Sequence, residues 1–382
     1  MKQIFILGAY GQNNLGDEAL LEVFIRQFQG AKIVVNSAQP AVTESRYGVQ
    51  SVGTYLNWPP RFSRFRSMAA SDVFVFGGGS LLKEIEGNWL ARLVYFARIL
   101  GILAFAKLSG KQTAMLGVGM GPLHYPFYKF LTRIAANMTG VICVRDTDSS
   151  ELLKSVGVRR PVYVTADPVF TLTSPSGQAP LGLPVDPAKP FAVVVPRYSL
   201  TDSEQTALAA ACDAIIENHC PQILFVPFQT AYLDHFDDTQ TARQIQTKMR
   251  HHDATQVWVT DSPRDAFEAI GLAQFVVSAR LHALIFGAMQ GTPATALSYE
   301  VKVRSFMAEI GQDDYCLTLK DLEDGALPEA IDRLVMNRSQ ISAQMRSKAA
   351  GLRVASQRNF DILREAEAAR DPYHLAGGSS TP

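Results

Sequence analysis

Short apolar, β-branched runs alternate with longer segments of helical spacing along almost the whole chain. Lys2–Leu7 reads as a strand, residues 8–16 as a loop, Glu18–Phe28 as a helix stopped near Gly30, and Lys32–Asn36 as the next strand. Asp72–Phe76 runs into Gly77-Gly78-Gly79-Ser80, with a helix expected directly after. Thr113–Val118 runs into Gly119-Met120-Gly121-Pro122. Val141–Val144 ends at Arg145-Asp146, where Asp146 is placed to cap a helix over Thr147–Val156 that Gly157 stops. Val162–Thr165 ends at Ala166-Asp167-Pro168. Each strand delivers glycine or polar residues at its C-terminal end, the layout of a parallel sheet with one functional edge.

The pattern breaks over Thr171–Pro190, where Pro175, Pro180, Pro184, Pro187 and Pro190 mark a linker, and then resumes. Strands are expected at Phe191–Val195, Ile223–Val226 and Val257–Val259, with helices near Glu204–His219, Thr239–Met249 and Pro263–Ile270. Phe275–Val277 is the next strand. A helix over Leu281–Gln290 follows, stopped by Gly291, before the strand Ala294–Ser298. The order implies an α/β protein of two doubly wound, Rossmann-like domains facing a cleft. The expected division is 1–172 as an N-terminal, acceptor-side domain, 173–190 as linker and 191–330 as a C-terminal, donor-side domain. Residues 331–370 are expected to form terminal helices packed across the outside, and 371–382 a flexible tail.

Composition narrows the picture. The 382 residues balance 36 Lys+Arg against 36 Asp+Glu, so no global field recruits nucleic acid and any anion site must be local. The four cysteines, Cys143, Cys212, Cys220 and Cys316, have no metal-binding spacing and read as buried thiols of a reducing compartment, with Cys212 and Cys220 on one helix. The first apolar run is too short for a signal peptide. Trp89–Leu108 is apolar around most of its circumference, interrupted by Arg92, Arg98 and Lys107; it is either a buried helix or one that dips into a membrane surface. Upstream, Arg61–Arg66 mixes cations with aromatics, which suits a solvated loop or an anionic membrane face.

Arg280 and His282 stand where a parallel strand gives way to a helix. Ligands of open α/β sheets bind there, and first-turn N–H groups attract anions. A packed core histidine and a structural ion pair are the alternative. Gly11 to Gly16 has the spacing of a nucleotide P-loop, but Asp17-Glu18 stand where Lys and Ser/Thr are needed, which excludes a triphosphate. Asp17 reads either as a general base for a hydroxyl or as charge support for the first helical turn. Asn13 and Asn14 are turn residues or sugar partners, and Gly78 and Gly79 allow close backbone approach to a ligand or a tight turn. Arg145 and Arg197 each end a strand, with a salt bridge, for Arg145 to Asp146 or Asp148, as the plain alternative. Lys302 is a candidate anion partner and Glu300 a candidate hydroxyl acceptor.

Taken in order, Gly11-x-x-Asn14-x-Gly16-Asp17-Glu18-Ala19, Phe76-Gly77-Gly78-Gly79-Ser80, Val144-Arg145-Asp146, Ala166-Asp167-Pro168, Ser278-x-Arg280-Leu281-His282-Ala283 and Ser298-Tyr299-x-x-Lys302 resemble the polysaccharide pyruvyl transferase family. The resemblance implies a fold similar to that of GT-B glycosyltransferases. It also implies transfer of the pyruvyl group of phosphoenolpyruvate to a sugar as a cyclic ketal, with phosphate released. It places Arg145, Arg280, Leu281 and His282 at donor-binding and catalytic positions and Asp17 as the acidic residue of the first loop. Arg197 and Gln229 match more loosely. On this reading Arg197 and Lys302 join the donor grip, Asn14, Gly78 and Gly79 face the acceptor, and His282 and Asp17 act as acid and base. No metal or cofactor is needed beyond the co-substrate. The expected partner is a sugar acceptor, polymeric or polyprenyl-diphosphate-linked, met in the cytoplasm or at the inner membrane face. A GT-B glycosyltransferase using a nucleotide sugar and a non-enzymatic glycan-binding module are the competing classes.

Overall fold

Runs of valine, isoleucine and phenylalanine, too apolar for an exposed strand, become the buried centres of two parallel sheets. The computed structural model describes residues 2–54, 62–85, 87–173, 179–230 and 236–370, without the side chains of 62–65. Arg61 and the side chains of 62–65, part of the linker and the tail at 371–382 therefore lie outside the description. The chain divides into two compact units. Unit 1 comprises Met1–Gly11, Leu20–Leu172 and Leu352–Pro382; unit 2 comprises Gln12–Ala19 and Thr173–Gly351.

In chain order the first elements are β1 (Gln3–Leu7), α1 (Leu15–Gln27), β2 (Lys32–Ser37), α2 (Pro40–Tyr47), β3 (Gln50–Gly53), α3 (Phe62–Ala70) and β4 (Val73–Gly77). Then come β5 (Ser80–Leu81), α4 (Trp89–Leu108), β6 (Gln112–Met120), α5 (Pro126–Met138), β7 (Val141–Val144), α6 (Thr147–Ser155) and β8 (Tyr163–Val164). Their sheet has the order β3-β2-β1-β4-β6-β7-β8, all parallel, with β5 added beside β6. Its order reverses between β1 and β4, so the glycine triplet follows a strand at the switch point.

Unit 2 continues with β9 (Phe191–Val195), α7 (Asp202–Asn218), β10 (Gln222–Phe225), α8 (Asp238–Lys248), β11 (Thr255–Val257), α9 (Pro263–Leu272), β12 (Val276–Ser278) and α10 (Leu281–Gln290). The remaining elements are β13 (Ala294–Ser298), α11 (Val301–Glu309), β14 (Cys316–Thr318), α12 (Leu319–Glu323), α13 (Leu327–Met336) and α14 (Arg338–Arg370). This sheet has the order β11-β10-β9-β12-β13-β14 and is also parallel. Its switch point lies between β9 and β12, the strands that deliver Arg197 and Arg280.

Helix boundaries follow their caps. Asp146 does cap α6, accepting from Ser149 N at 2.7 Å. Thr201 and Glu204 form a reciprocal capping box at α7, so that helix starts earlier than its apolar spacing suggests. α1 likewise begins at Leu15 rather than Glu18, because Asn14 Oδ1 accepts from Gly16 N at 3.0 Å and Asp17 N at 3.1 Å. No helix directly follows the glycine triplet: β5 comes first, and α4 waits for its cap at Asn88. Cys220 lies past the end of α7 rather than on it. The C-terminal part of α14 is not merely a polar cover. Phe360 is fully buried, edge-on to Phe24 with centroids 5.5 Å apart, and Asn359 Nδ2 donates to Ala166 O at 2.9 Å.

Candidate active site

Residues 12–19 come early in the chain but fold as part of unit 2. Leu15 N donates to Phe228 O at 2.9 Å and Thr230 N to Asn13 O at 3.0 Å, which stitches the first loop to the turn after β10. Gln229 completes the joint. Its Oε1 accepts from Asn14 Nδ2 at 3.0 Å, and its Nε2 donates to Gln12 O at 2.6 Å. Asn14 thus spends both ends of its amide on the cap and on Gln229. Asn13 turns the chain with φ of 56°, a left-handed conformation that asparagine tolerates better than most residues.

The same stitching brings the start of α1 against the start of α10. A Cβ on residue 16 would stand 2.0 Å from His282 Nδ1, so only glycine lets the imidazole lie there. The α10 N-terminus carries no side-chain cap: its N-cap is Arg280, whose own N–H donates to Ser278 Oγ at 2.9 Å. Its opening N–H groups at Leu281, His282 and Ala283 have no acceptor within the helix, which makes this end attractive to anions.

Arg280 is not a loose cation. Its Nε donates to Asp238 Oδ2 at 2.9 Å and its Nη2 to Asp238 Oδ1 at 2.5 Å. Asp238 is fully buried and also accepts from Tyr198 N and Gln229 N, both at 2.9 Å. One carboxylate therefore gathers the turns after β9, β10 and β12. Burial opposes the guanidinium charge of Arg280, but Asp238, aided by the Tyr299 and Tyr198 hydroxyls, outweighs it and raises the pKa above the ordinary value. Asp238 escaped the sequence reading because Asp237-Asp238 ahead of a helix looks like capping, a role that Asp237 does fill.

Around this pair sits an aromatic frame. The Arg197 guanidinium lies 4.5 Å from the Tyr198 ring centre and 4.1 Å from that of Tyr299, and Arg280 lies 5.2 Å from Tyr198. Arg197 Nη2 donates to Tyr198 Oη at 3.1 Å, and Nη1 to Ser199 Oγ. Its Nε is buried with no acceptor among the described residues. Burial, with Glu300 beside it, pushes the Tyr299 phenol up to about 12. Lys302 Nζ is 2.5 Å from Glu300 Oε2, in the first turn of α11.

Arg145, Gly78 and Gly79 belong to unit 1. Arg145 is buried between two carboxylates, Nη1 at 3.2 Å from Asp167 and Nε at 3.4 Å from Asp146, and it lies against the backbone of Gly119. Its second partner is Asp167 rather than Asp148. Gly78 and Gly79 have φ of 64° and 67°, and a Cβ at Gly78 would meet Leu20 at 2.6 Å. At Gly78 both packing and the left-handed backbone call for glycine, and at Gly79 the backbone conformation does.

A family model described as polysaccharide pyruvyl transferase matches residues 14–301. The amylovoran biosynthesis protein AmsJ of Erwinia amylovora is 23% identical in sequence, the alignment covering 66% of each chain, just under two thirds. Among solved structures, UDP-GlcNAc 2-epimerase from Neisseria meningitidis bound to UDP-GlcNAc superposes with a TM-score of 0.61 at 12% identity, covering 96% of this chain and all of that one. The S. aureus MnaA–UDP structure gives 0.60 at 12% identity, covering 100% of this chain and 99% of its own. A glycosyltransferase from Rickettsia africae gives 0.60 at 13%, covering 96% and 98%. At these identities the likeness is one of fold, and it agrees with two Rossmann-like units of the GT-B kind.

Proposed function

The chain belongs to the polysaccharide pyruvyl transferase family, and from that premise we propose that it is a transferase of polysaccharide biosynthesis that moves the pyruvyl group of phosphoenolpyruvate onto a sugar as a cyclic ketal. One observation carries this reading: the uncapped N-terminus of α10 lies between an arginine fixed by a buried carboxylate and a histidine fixed against Gly16. A small ligand bearing both phosphate and carboxylate needs dense, oriented donors of this kind.

In the proposed scheme Arg280, the Leu281 N–H, Arg197 and Lys302 hold the donor. The buried Arg197 Nε offers a hydrogen-bond donor to it. Asp17 accepts the proton of a sugar hydroxyl as its oxygen adds to the donor carbon bearing phosphate. His282 delivers a proton to the methylene carbon, which becomes methyl. A second hydroxyl of the same sugar then forms its bond to that carbon, giving its proton to the His282 imidazole left neutral by the previous step, as inorganic phosphate leaves and the ketal closes. Arg145 we assign instead to anchoring β7 against the Asp167 turn, since two carboxylates already share its charge. Asn14, Gly78 and Gly79 serve loop geometry in this scheme, and no cofactor enters it.

The acceptor is a sugar of a surface polysaccharide or of its polyprenyl-diphosphate-linked precursor, and the reaction belongs to the cytoplasm at the inner membrane face. Incubation with phosphoenolpyruvate and lipid-linked glycans should release inorganic phosphate only when both are present, and His282→Ala should stop it. Release that is indifferent to the glycan, or unchanged in His282→Ala, would defeat the scheme.

A further inference from the structure

Helix α4 is long and apolar enough to cross a membrane by length and composition, yet one side of it is ordinary core. Phe96, Ile99, Ile102, Leu103 and Ala106 are buried in the unit 1 core. The opposite side is exposed and apolar as well: Leu90, Val94, Ala97, Gly101 and Leu108 follow helical spacing without a charged residue among them. Only 28% of the most apolar window of this helix is buried. A helix on the surface of a protein surrounded by water normally turns charged residues outward, so this face is built for a different medium.

Helix α5 extends the face. Tyr128 stacks on Phe96 with centroids 5.2 Å apart and donates to Trp89 O at 3.3 Å, fixing the start of α5 beside the start of α4. Trp89 (69% exposed), Tyr125 (56%), Phe127 (52%) and Phe130 (56%) are exposed at and beyond these two helix starts, with the Tyr125 and Phe127 rings edge-on to Tyr128. Tryptophan and tyrosine favour the headgroup level of a bilayer, where one end is apolar and the other wet.

Charge selects the occupant. The whole chain is balanced, but no Asp or Glu occurs between Glu86 and Asp146, a stretch that carries Arg92, Arg98, Lys107, Lys111, Lys129, Arg133 and Arg145. Lys107, Lys129 and Arg133 are exposed, and the Glu84 side chain, which pairs with Arg92, is buried. An apolar stripe and aromatic rim on two helices whose own charged side chains are all cations match an anionic lipid surface rather than a protein partner of mixed charge. We propose that the α4–α5 face of unit 1 docks on anionic bilayers, with α4 lying in the interface plane and Trp89 reaching the acyl boundary. The inference stands on unit 1 alone and does not rest on the proposed reaction.

Flotation of the full-length protein with phosphatidylglycerol-containing vesicles and with pure phosphatidylcholine vesicles tests it. The wild type should float with the former, weaken as salt rises and bind the latter poorly. The double variant Val94→Gln/Phe130→Gln should bind at least about tenfold less tightly, having lost two exposed apolar side chains that would enter the lipid. Lys129→Glu/Arg133→Glu should lose the preference for anionic lipid. All four positions are on the surface, so melting temperatures should match the wild type. Brominated lipid should quench tryptophan emission in the wild type and not in Trp89→Phe. Absence of anionic-vesicle binding by the wild type, or equal binding by the variants, would overturn the proposal. So would a concentration-dependent dimer that Val94→Gln/Phe130→Gln disrupts in the absence of lipid binding, since the face would then serve a second copy of the chain.

Discussion

A methyl group on Gly16 would sit 2.0 Å from His282 Nδ1, although 266 positions separate the two residues (282 − 16). The contact is possible because residues 12–19 are sewn to the turn after β10, within the unit that holds α10. Its consequence is kinetic. Gly16 does not have positive φ, so alanine is accommodated by the backbone and the added carbon acts on the imidazole. Gly16→Ala is expected to lower kcat by about a hundredfold, the scale of a misplaced catalytic group, while phosphoenolpyruvate still binds. Turnover and donor affinity measured side by side check this; equal loss of both would mean that the loop, not the histidine, is what moved.

The Arg280–Asp238 pair makes a second claim. Removing either partner leaves a buried charge alone, which costs about 3–5 kcal/mol, so Arg280→Ala is expected to unfold more readily as well as lose the donor. Arg280→Lys keeps the charge but cannot reproduce the two-pronged grip. Asp238→Asn keeps the shape but not the charge. Both milder variants are expected to raise KM for phosphoenolpyruvate by more than about tenfold, with a smaller change in kcat. A normal KM in Asp238→Asn would show that the carboxylate does not position the arginine for the donor.

Arg145 should behave in the opposite way. With Asp167 and Asp146 both beside it, Arg145→Met is expected to lower the melting temperature, by about 3–5 kcal/mol of stability, because it strands Asp167 in the interior. Donor affinity of the folded protein should stay within about twofold of wild type, since its charge was already matched. Chemical denaturation and donor titration on the same sample separate the two effects.

The buried thiols predict how stability follows pH. Burial pushes Cys143 up to about 12 and Cys220 to about 11 from an ordinary value of 9.0, and raises Cys212 further. Between those values the unfolded chain has lost thiol protons that the folded chain keeps. The stabilising contribution is therefore complete below about pH 9 and is lost as pH climbs toward the folded values. Melting temperature is expected to fall steadily from about pH 9 to 11, with a shallower slope in Cys143→Ala. A flat profile over that range would contradict the buried, protonated state of these residues.

The sheets were readable from the chain because parallel strands must be apolar on both faces, and Phe191–Val195 and Val141–Val144 announce themselves that way. The α10 helix was equally plain, with its bounds marked by Gly291 in a left-handed turn. Short edge strands such as Gln50–Gly53 and Cys316–Thr318 were not readable, being too short and too polar to differ from loops. The site was half legible. Arg280 and His282 stand in a recognisable strand-to-helix junction, whereas Asp238 acts through a contact 42 residues away that no local pattern encodes. The attachment of residues 12–19 to unit 2 was hidden for the same reason: Gln229, which holds Asn14, is 215 residues downstream.

The anion held at the start of α10 decides the reaction, and a ligand-binding measurement on the purified protein identifies it most directly. Melting temperature should be followed with phosphoenolpyruvate and, separately, with UDP and UDP-linked sugars, in wild type and Arg280→Lys. Phosphoenolpyruvate should raise the wild-type melting temperature by several degrees at millimolar concentration and do so much less in Arg280→Lys, as linkage requires of a ligand held by that residue. Stabilisation by UDP or a UDP-sugar with none from phosphoenolpyruvate would contradict the account and assign the site to a nucleotide-sugar donor.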